Sequence, residues 1–138
     1  MIKPAAFLQT AQEIVLGQVC TGEAAQRTAC GRAYYAVYLA YREAIRRQIG
    51  DPEYDFLHVE FKKALRNHPE HRVNLLEQYV LSLLRWRIDS DYSPSPLTVQ
   101  PSDAQRRTVE STTALGLIEE LVRTGTQLPV PIKKIRDI

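Results

Sequence analysis

The chain has 138 residues, 44% of them hydrophobic and 25% charged, with a formal net charge of +2. That length suits a single domain, since domains commonly run to about 100–150 residues, and it leaves no room for a second. The composition is that of a soluble globular protein, no apolar run approaches the roughly 18 residues of a membrane span, and so small a net charge does not by itself argue for nucleic acid.

The opening stretch MIKPAAFLQTAQEIVLG carries Gln9, Thr10, Gln12 and Glu13. It is too polar for a secretory signal, so a cytoplasmic protein with no membrane contact is expected. Cys20 and Cys30 belong to no CxxC pair and no Cys/His quartet. They read as reduced thiols, and neither a structural metal nor a cofactor is expected.

Taken in order, Pro4 suits the first turn of a helix, and Phe7, Leu8, Ala11, Ile14 and Val15 then follow one face until Gly17. Thr21 is a plausible N-cap for the next segment and Glu23 suits its positive end, so a long central helix should begin near Gly22. Within it Ala29, Ala33, Ala36, Ala40 and Ala44 form a small-residue stripe, and Tyr34, Tyr38 and Tyr41 recur on an adjoining face. The stripe permits close approach of other helices or a second copy, and the rings need hydroxyl partners where they are buried. The helix should close at Gly50, with Arg46 and Arg47 in its last turn. Leu57, Phe61, Ala64 and Leu65 predict a short third helix ended by His68-Pro69. Leu76, Tyr79, Val80, Leu83, Leu84 and Ile88 predict a fourth, from about Glu70.

The segment Asp89–Pro101 holds Pro94, Pro96 and Pro101 and reads as an extended connection that excludes a helix. Ser102-Asp103-Ala104-Gln105 matches a capping box and opens a final helix closed by Arg123 and Gly125. Only Leu97-Thr98-Val99 resembles a strand, and it is too short to organise a sheet. The expected fold is all-α, an up-and-down antiparallel bundle of four to five helices over residues 1–127. A basic, Pro-containing tail follows at 128–138, and its Lys133–Arg136 charge run reads as solvated.

Two blocks carry a family resemblance. RTACGRAYYAVYLAYREA, Arg27–Ala44, resembles the R-x-A-x-x-x-A-Y-Y-A-x-x-x-A pattern of the long second helix of HEPN (higher eukaryotes and prokaryotes nucleotide-binding) domains. Arg87-Ile88-Asp89-Ser90-Asp91-Tyr92 is similar to the R-x-x-A-D-Y signature that ends the fourth helix in one HEPN branch. The resemblance implies a helical bundle that dimerises through these helices and works in prokaryotic toxin–antitoxin or defence systems beside a minimal nucleotidyltransferase partner. It further implies RNA or a nucleotide as ligand. Active members are metal-independent ribonucleases using Arg-x4-6-His, in which a guanidinium holds the scissile phosphate and a histidine moves the proton of a ribose 2′-hydroxyl. It also makes Tyr92 the place where such a partner would attach nucleotide.

In the family register the active pattern falls on Arg85 to Tyr92, with Ser90 in place of the histidine. A serine hydroxyl accepts no proton at neutral pH without a separate base, so catalysis at that position is lost. A literal Arg-x4-His occurs instead at Arg66–His71, which makes Arg66 and His71 the candidate catalytic pair, although Pro69 breaks the path between them. The candidate RNA-binding, nucleotide-binding or interface residues are Arg42, Arg46, Arg85, Arg87, Asp91 and Tyr92. Beside these roles stand structural ones. Arg87, Asp89 and Asp91 are close enough for an ion-pair network, Tyr92 suits a core cap, and His58 lies one position from an apolar face and reads as packed or hydrogen-bonded. His68, Glu70 and His71 make a poor metal site in a Pro-containing turn. The expectation is an RNA- or nucleotide-binding protein with a degenerate catalytic motif. The alternatives are a toxin ribonuclease using Arg66 and His71, or a scaffold subunit without ligand.

Overall fold

A computed structural model of the chain describes residues 3–16, 22–91 and 99–132, with the side chains of 88–91 outside the description. Among these residues five helices form: α1 Pro4–Val15, α2 Glu23–Ile49, α3 His58–Ala64, α4 His71–Asp91 and α5 Pro101–Arg123. Among the described residues there is no strand, and no helix is long and apolar enough to cross a membrane.

The central helix α2 starts after Gly22, whose φ of 100° only glycine adopts without strain; Thr21, the expected cap, lies outside the described residues. Glu23 then meets Arg27 at 3.0 Å and accepts the Val99 amide at 3.3 Å, tying the approach to α5 onto the first turn of α2. At the other end Gly50, with φ of 73°, and Asp51 both send their amides to the Arg46 carbonyl. That left-handed cap ends the helix as expected.

Helix α2 packs on α1, α4 and α5, and cross-links give the register. Phe7 of α1 meets Tyr35, whereas Ala11 and Ile14 cluster with Ala25 and Ala29, so α1 runs antiparallel to α2. Ser82 and Arg72 of α4 bond to Glu110 of α5 and to Thr124, which caps α5, a second antiparallel pair. Ala29, Ala33 and Ala36 have no exposed surface, and Ser111 of α5 reaches through the stripe to the Ala33 carbonyl at 2.8 Å. A bulkier residue at Ala33 would hold α5 away. The fold is the expected all-α bundle.

The main core gathers Tyr34, Val37, Tyr41 and Ile45 of α2 with Phe56, Phe61, Leu65, Leu76, Val80, Leu83, Ile118 and Leu121. Leu128 joins it from beyond α5 and is held there by Gln48, whose amide both donates to and accepts from the Leu128 backbone at 2.8 Å. Tyr41 of α2 and Tyr54 of the connection after it donate to the carbonyls of Pro129 and Pro131, so residues 128–131 lie along the end of α2 and that connection. Lys133–Arg136 fall outside the described residues. A second, smaller cluster joins Ala11, Ile14, Ala25, Ala29, Cys30, Val99 and Ala104, with Trp86 packed on it. Arg107 lies 4.7 Å from the centre of the Trp86 ring and pairs with Glu110.

Two boundaries differ from expectation. Helix α4 continues through Asp91, three residues past Ile88, because the residues that forbid helix, Pro94 and Pro96, restrict only themselves and their immediate predecessors. Helix α5 begins at Pro101, not Ser102. Proline is favoured at the first helical position, and the Asp103 carboxylate accepts the Gln100 amide at 2.9 Å, so the cap is Gln100, two residues earlier than the Ser102 pattern suggests.

Candidate functional site

Consecutive turns of α2 present Tyr34, Tyr35, Tyr38 and Arg42 toward α4 and the connection that leads into α3. Tyr34 is fully buried and Tyr35 only partly so, because adjacent helical positions differ by about 100° around the axis. Their rings meet edge to face, 6.0 Å between centres, and Tyr34 stacks with Tyr38 at 6.2 Å. A half-buried aromatic surface results, and two groups from outside α2 rest on it.

The first is Arg87 of α4. Its guanidinium carbon lies 4.9 Å from the centre of the Tyr35 ring and 5.6 Å from that of Tyr34, and Nη2 donates to the Tyr35 hydroxyl at 2.9 Å. A guanidinium over a ring face is attracted by the ring's negative quadrupole, and its planar fork stays oriented there.

The second is His58, the first residue of α3. Its Nδ1 is 2.6 Å from the Tyr34 hydroxyl, and its ring centre lies 4.6 Å from that of Tyr38 and 6.1 Å from that of Tyr35. The connection is held by Tyr38, which donates to the Phe56 carbonyl at 2.5 Å, and by Asp55, which accepts the Phe56 amide at 2.8 Å. Glu60 accepts the Leu57 amide at 2.8 Å and fixes the start of α3. His58 is therefore positioned by both its neighbours and its ring contacts.

Electrostatics separate the two groups. Burial, reinforced by the Arg87 charge, pushes the His58 imidazole below its ordinary value, with only Asp55 opposing, so the ring is neutral at physiological pH. Burial pushes the Tyr34 phenol far up despite Arg87, and that of Tyr38 up with the help of Asp55. Both phenols stay protonated. The site presents a fixed cation, a neutral imidazole and hydroxyls.

Among the residues singled out from sequence, Arg87 lies in this cluster. Arg42 borders it, 3.7 Å from Asp55 and 5.8 Å from the centre of the Tyr38 ring. Arg46 lies one turn further on, where Nε donates to the Tyr54 carbonyl at 2.7 Å. Arg42 and Arg46 also line a cleft of about 430 Å³ with Pro4, Leu39, Arg47 and Pro52. Arg85 is exposed, roughly 200° around α4 from Arg87, and does not enter the cluster. The side chains of Asp89, Ser90 and Asp91, and all of Tyr92, fall outside the described residues.

Arg66 and His71 are both exposed on the α3–α4 turn, where Asn67 takes a left-handed φ of 55°. Among the described residues no hydrogen bond or ion pair joins them. The turn is organised by its other members: His68 Nδ1 accepts the Glu70 amide at 3.1 Å, and Glu70 pairs with Arg72 at 2.9 Å. Also among the described residues, no group of three or more His, Cys, Asp or Glu side chains is placed to hold a metal ion.

A larger cleft of about 880 Å³, lined by Ala40, Ala44, Ile118 and Val122, lies between α1, α2 and α5. None of the cluster residues reaches it. The groups able to recognise an anion lie where α4 and α3 meet α2, and the members not among the sequence candidates are Tyr34, Tyr35, Tyr38, Asp55 and His58. Their only signal in sequence was an adjacent Tyr-Tyr pair and a histidine one position off an apolar face. Comparisons with protein-family models, curated proteins and solved structures yield no significant match to this chain.

Proposed function

We propose that the chain is a HEPN-type module that binds RNA or a nucleotide through the Arg87 site. In this reading it acts as a homodimer beside a minimal nucleotidyltransferase in a prokaryotic toxin–antitoxin or defence system. The observation that carries the proposal is the 2.9 Å hydrogen bond from Arg87 to Tyr35, since it joins the two sequence blocks on which the family resemblance rests. Arg87 belongs to the R-x-x-S-D-Y block and Tyr35 to the Ala/Tyr block. Their meeting gives both blocks one physical purpose.

The chemistry of the site supports binding over cleavage. A guanidinium offers a rigid fork of donors to phosphate oxygens, and aromatic rings beside it suit stacked bases. Arg42 and Arg46 extend the cationic character along α2 from the same side. The family position for the proton-transferring histidine holds Ser90, so the module has lost that step.

A filter-binding titration with single-stranded RNA and with ATP at low salt tests the proposal. Saturable binding to at least one of them, weakened steeply by added salt, is expected. Absence of binding to both, in a sample shown by light scattering to be dimeric, would overturn it.

A further inference from the structure

The hydrogen bond between Tyr34 and His58 determines what the imidazole offers a ligand. Tyr34 has no exposed surface, and His58 is its hydrogen-bond partner at 2.6 Å. Burial keeps the phenol protonated. Among the described residues no other acceptor faces that hydroxyl, and a buried O–H left without an acceptor is costly, so Tyr34 donates to Nδ1. The proton of the neutral ring then sits on Nε2, a tautomer assigned from this hydrogen-bond network. Because Nδ1 is turned to the buried phenol, Nε2–H lies on the other edge of the ring, and the residue as a whole is half-buried.

We infer that the Nε2–H of His58 and the guanidinium of Arg87 form one receptor for a phosphate group, in which His58 is a hydrogen-bond donor and not a proton acceptor. Both groups rest on the rings of Tyr34 and Tyr35, and His58 also meets that of Tyr38. Both offer donors only. Among the described side chains the carboxylate nearby is Asp55, engaged by Arg42 at 3.7 Å and by the Phe56 amide at 2.8 Å, which lessens its repulsion of an incoming anion. A neutral donor beside a fixed cation also avoids the repulsion two cations would feel before the ligand arrives. Tyr34 is a positioning residue: it sets the tautomer without touching the ligand.

This inference rests on the RNA- or nucleotide-binding reading of the site and adds to it the residue and the ligand group. The phosphate can be a diester within a strand or the end of a nucleotide. A short single-stranded RNA with hydroxyls at both ends and ATP separate these sources.

The test compares wild-type chain with His58→Gln, His58→Leu and Arg87→Ala in titrations with both probes, together with the ¹⁵N spectrum of the His58 ring. Glutamine keeps an N–H donor near the position of Nε2 and has no titratable base; leucine keeps bulk alone. His58→Gln should bind within about twofold of wild type and His58→Leu about tenfold more weakly, the size expected for a lost hydrogen bond to a charged group. The spectrum should report the Nε2–H tautomer.

Wild-type affinity in His58→Leu together with weakened binding in Arg87→Ala would overturn the inference and leave the binding reading standing. An Nδ1–H spectrum would also overturn it, and that measurement needs no variant to fold. Absence of binding by the wild type would remove both.

Discussion

Arg87 Nη2 donates to the Tyr35 hydroxyl at 2.9 Å, linking residues 52 positions apart. The guanidinium that a ligand would meet is thereby part of the contact that fixes the end of α4 against α2. Binding and packing share one side chain. Substitutions at Arg87 should be read for both.

Arg87→Ala is expected to lower the unfolding free energy by about 1–3 kcal/mol, through loss of a charge-assisted hydrogen bond and of the guanidinium–ring contact. Arg87→Lys should recover only part of this, because an ammonium cannot lie flat over a ring while reaching a hydroxyl in its plane. Urea unfolding with an unchanged slope and a shifted midpoint would report the effect.

Phe61 has no exposed surface and stands 4.7 Å from the ring centre of Tyr41 and 5.8 Å from that of Phe56. Phe61→Ala leaves a cavity that these rings and Leu65 cannot close by small shifts. A loss of about 3–5 kcal/mol is expected, a large share of what a domain this size possesses. Thermal unfolding followed by circular dichroism should show it as a markedly lower midpoint.

The His58 imidazole is held below its ordinary value of 6.5 in the folded chain. Between the folded and unfolded values the unfolded chain binds more protons, so stability rises with pH through that window. The stabilisation is fully present above 6.5, is lost as pH falls below it, and levels off beneath the folded value. Among the described residues the groups facing the ring are Tyr34, Tyr35 and Tyr38 from α2, Asp55 from the connection and Arg87 from α4, and burial pushes the phenols of Tyr34 and Tyr38 up, away from this range. Unfolding midpoints of wild type and His58→Gln should therefore diverge at neutral pH and draw closer as pH falls. Parallel profiles would contradict the assignment.

Gln48 holds the Leu128 backbone by two hydrogen bonds of 2.8 Å. Gln48→Ala should release residues 128–131 from α2 at a cost of about 1–2 kcal/mol. The Leu128 amide, which donates to the Gln48 side chain, should exchange slowly in wild type and much faster in the variant.

Periodicity made the bundle legible. The repeats of Leu, Tyr and Ala placed all five helices, and Gly50 and Gly125 marked helix ends that the backbone uses, with φ of 73° and 71°. The ends of α4 and α5 were less readable, since proline composition describes a window while helix termination depends on single residues such as Pro101 and Asp103. Arg87 stood out as a candidate because of its motif. Its partner did not, because which turn of α2 meets the end of α4 is set by helix packing and no local pattern encodes it. His58 read as packed or hydrogen-bonded, and so it is; that its bond runs to Tyr34 depends on how the 51–57 connection folds back on α2. The Arg66–His71 spacing shows the reverse case, a motif legible in sequence whose two side chains lie exposed across a turn and unjoined.

The most direct measurement of the central claim is RNA affinity in Arg87→Ala set against Arg66→Ala and His71→Ala, each over a range of salt. Arg87→Ala should weaken binding about tenfold and reduce the salt slope by about one, whereas the two turn variants should bind as wild type. Unchanged affinity in Arg87→Ala, together with loss of binding or of EDTA-resistant RNA cleavage in His71→Ala, would contradict the account and move the site to the α3–α4 turn.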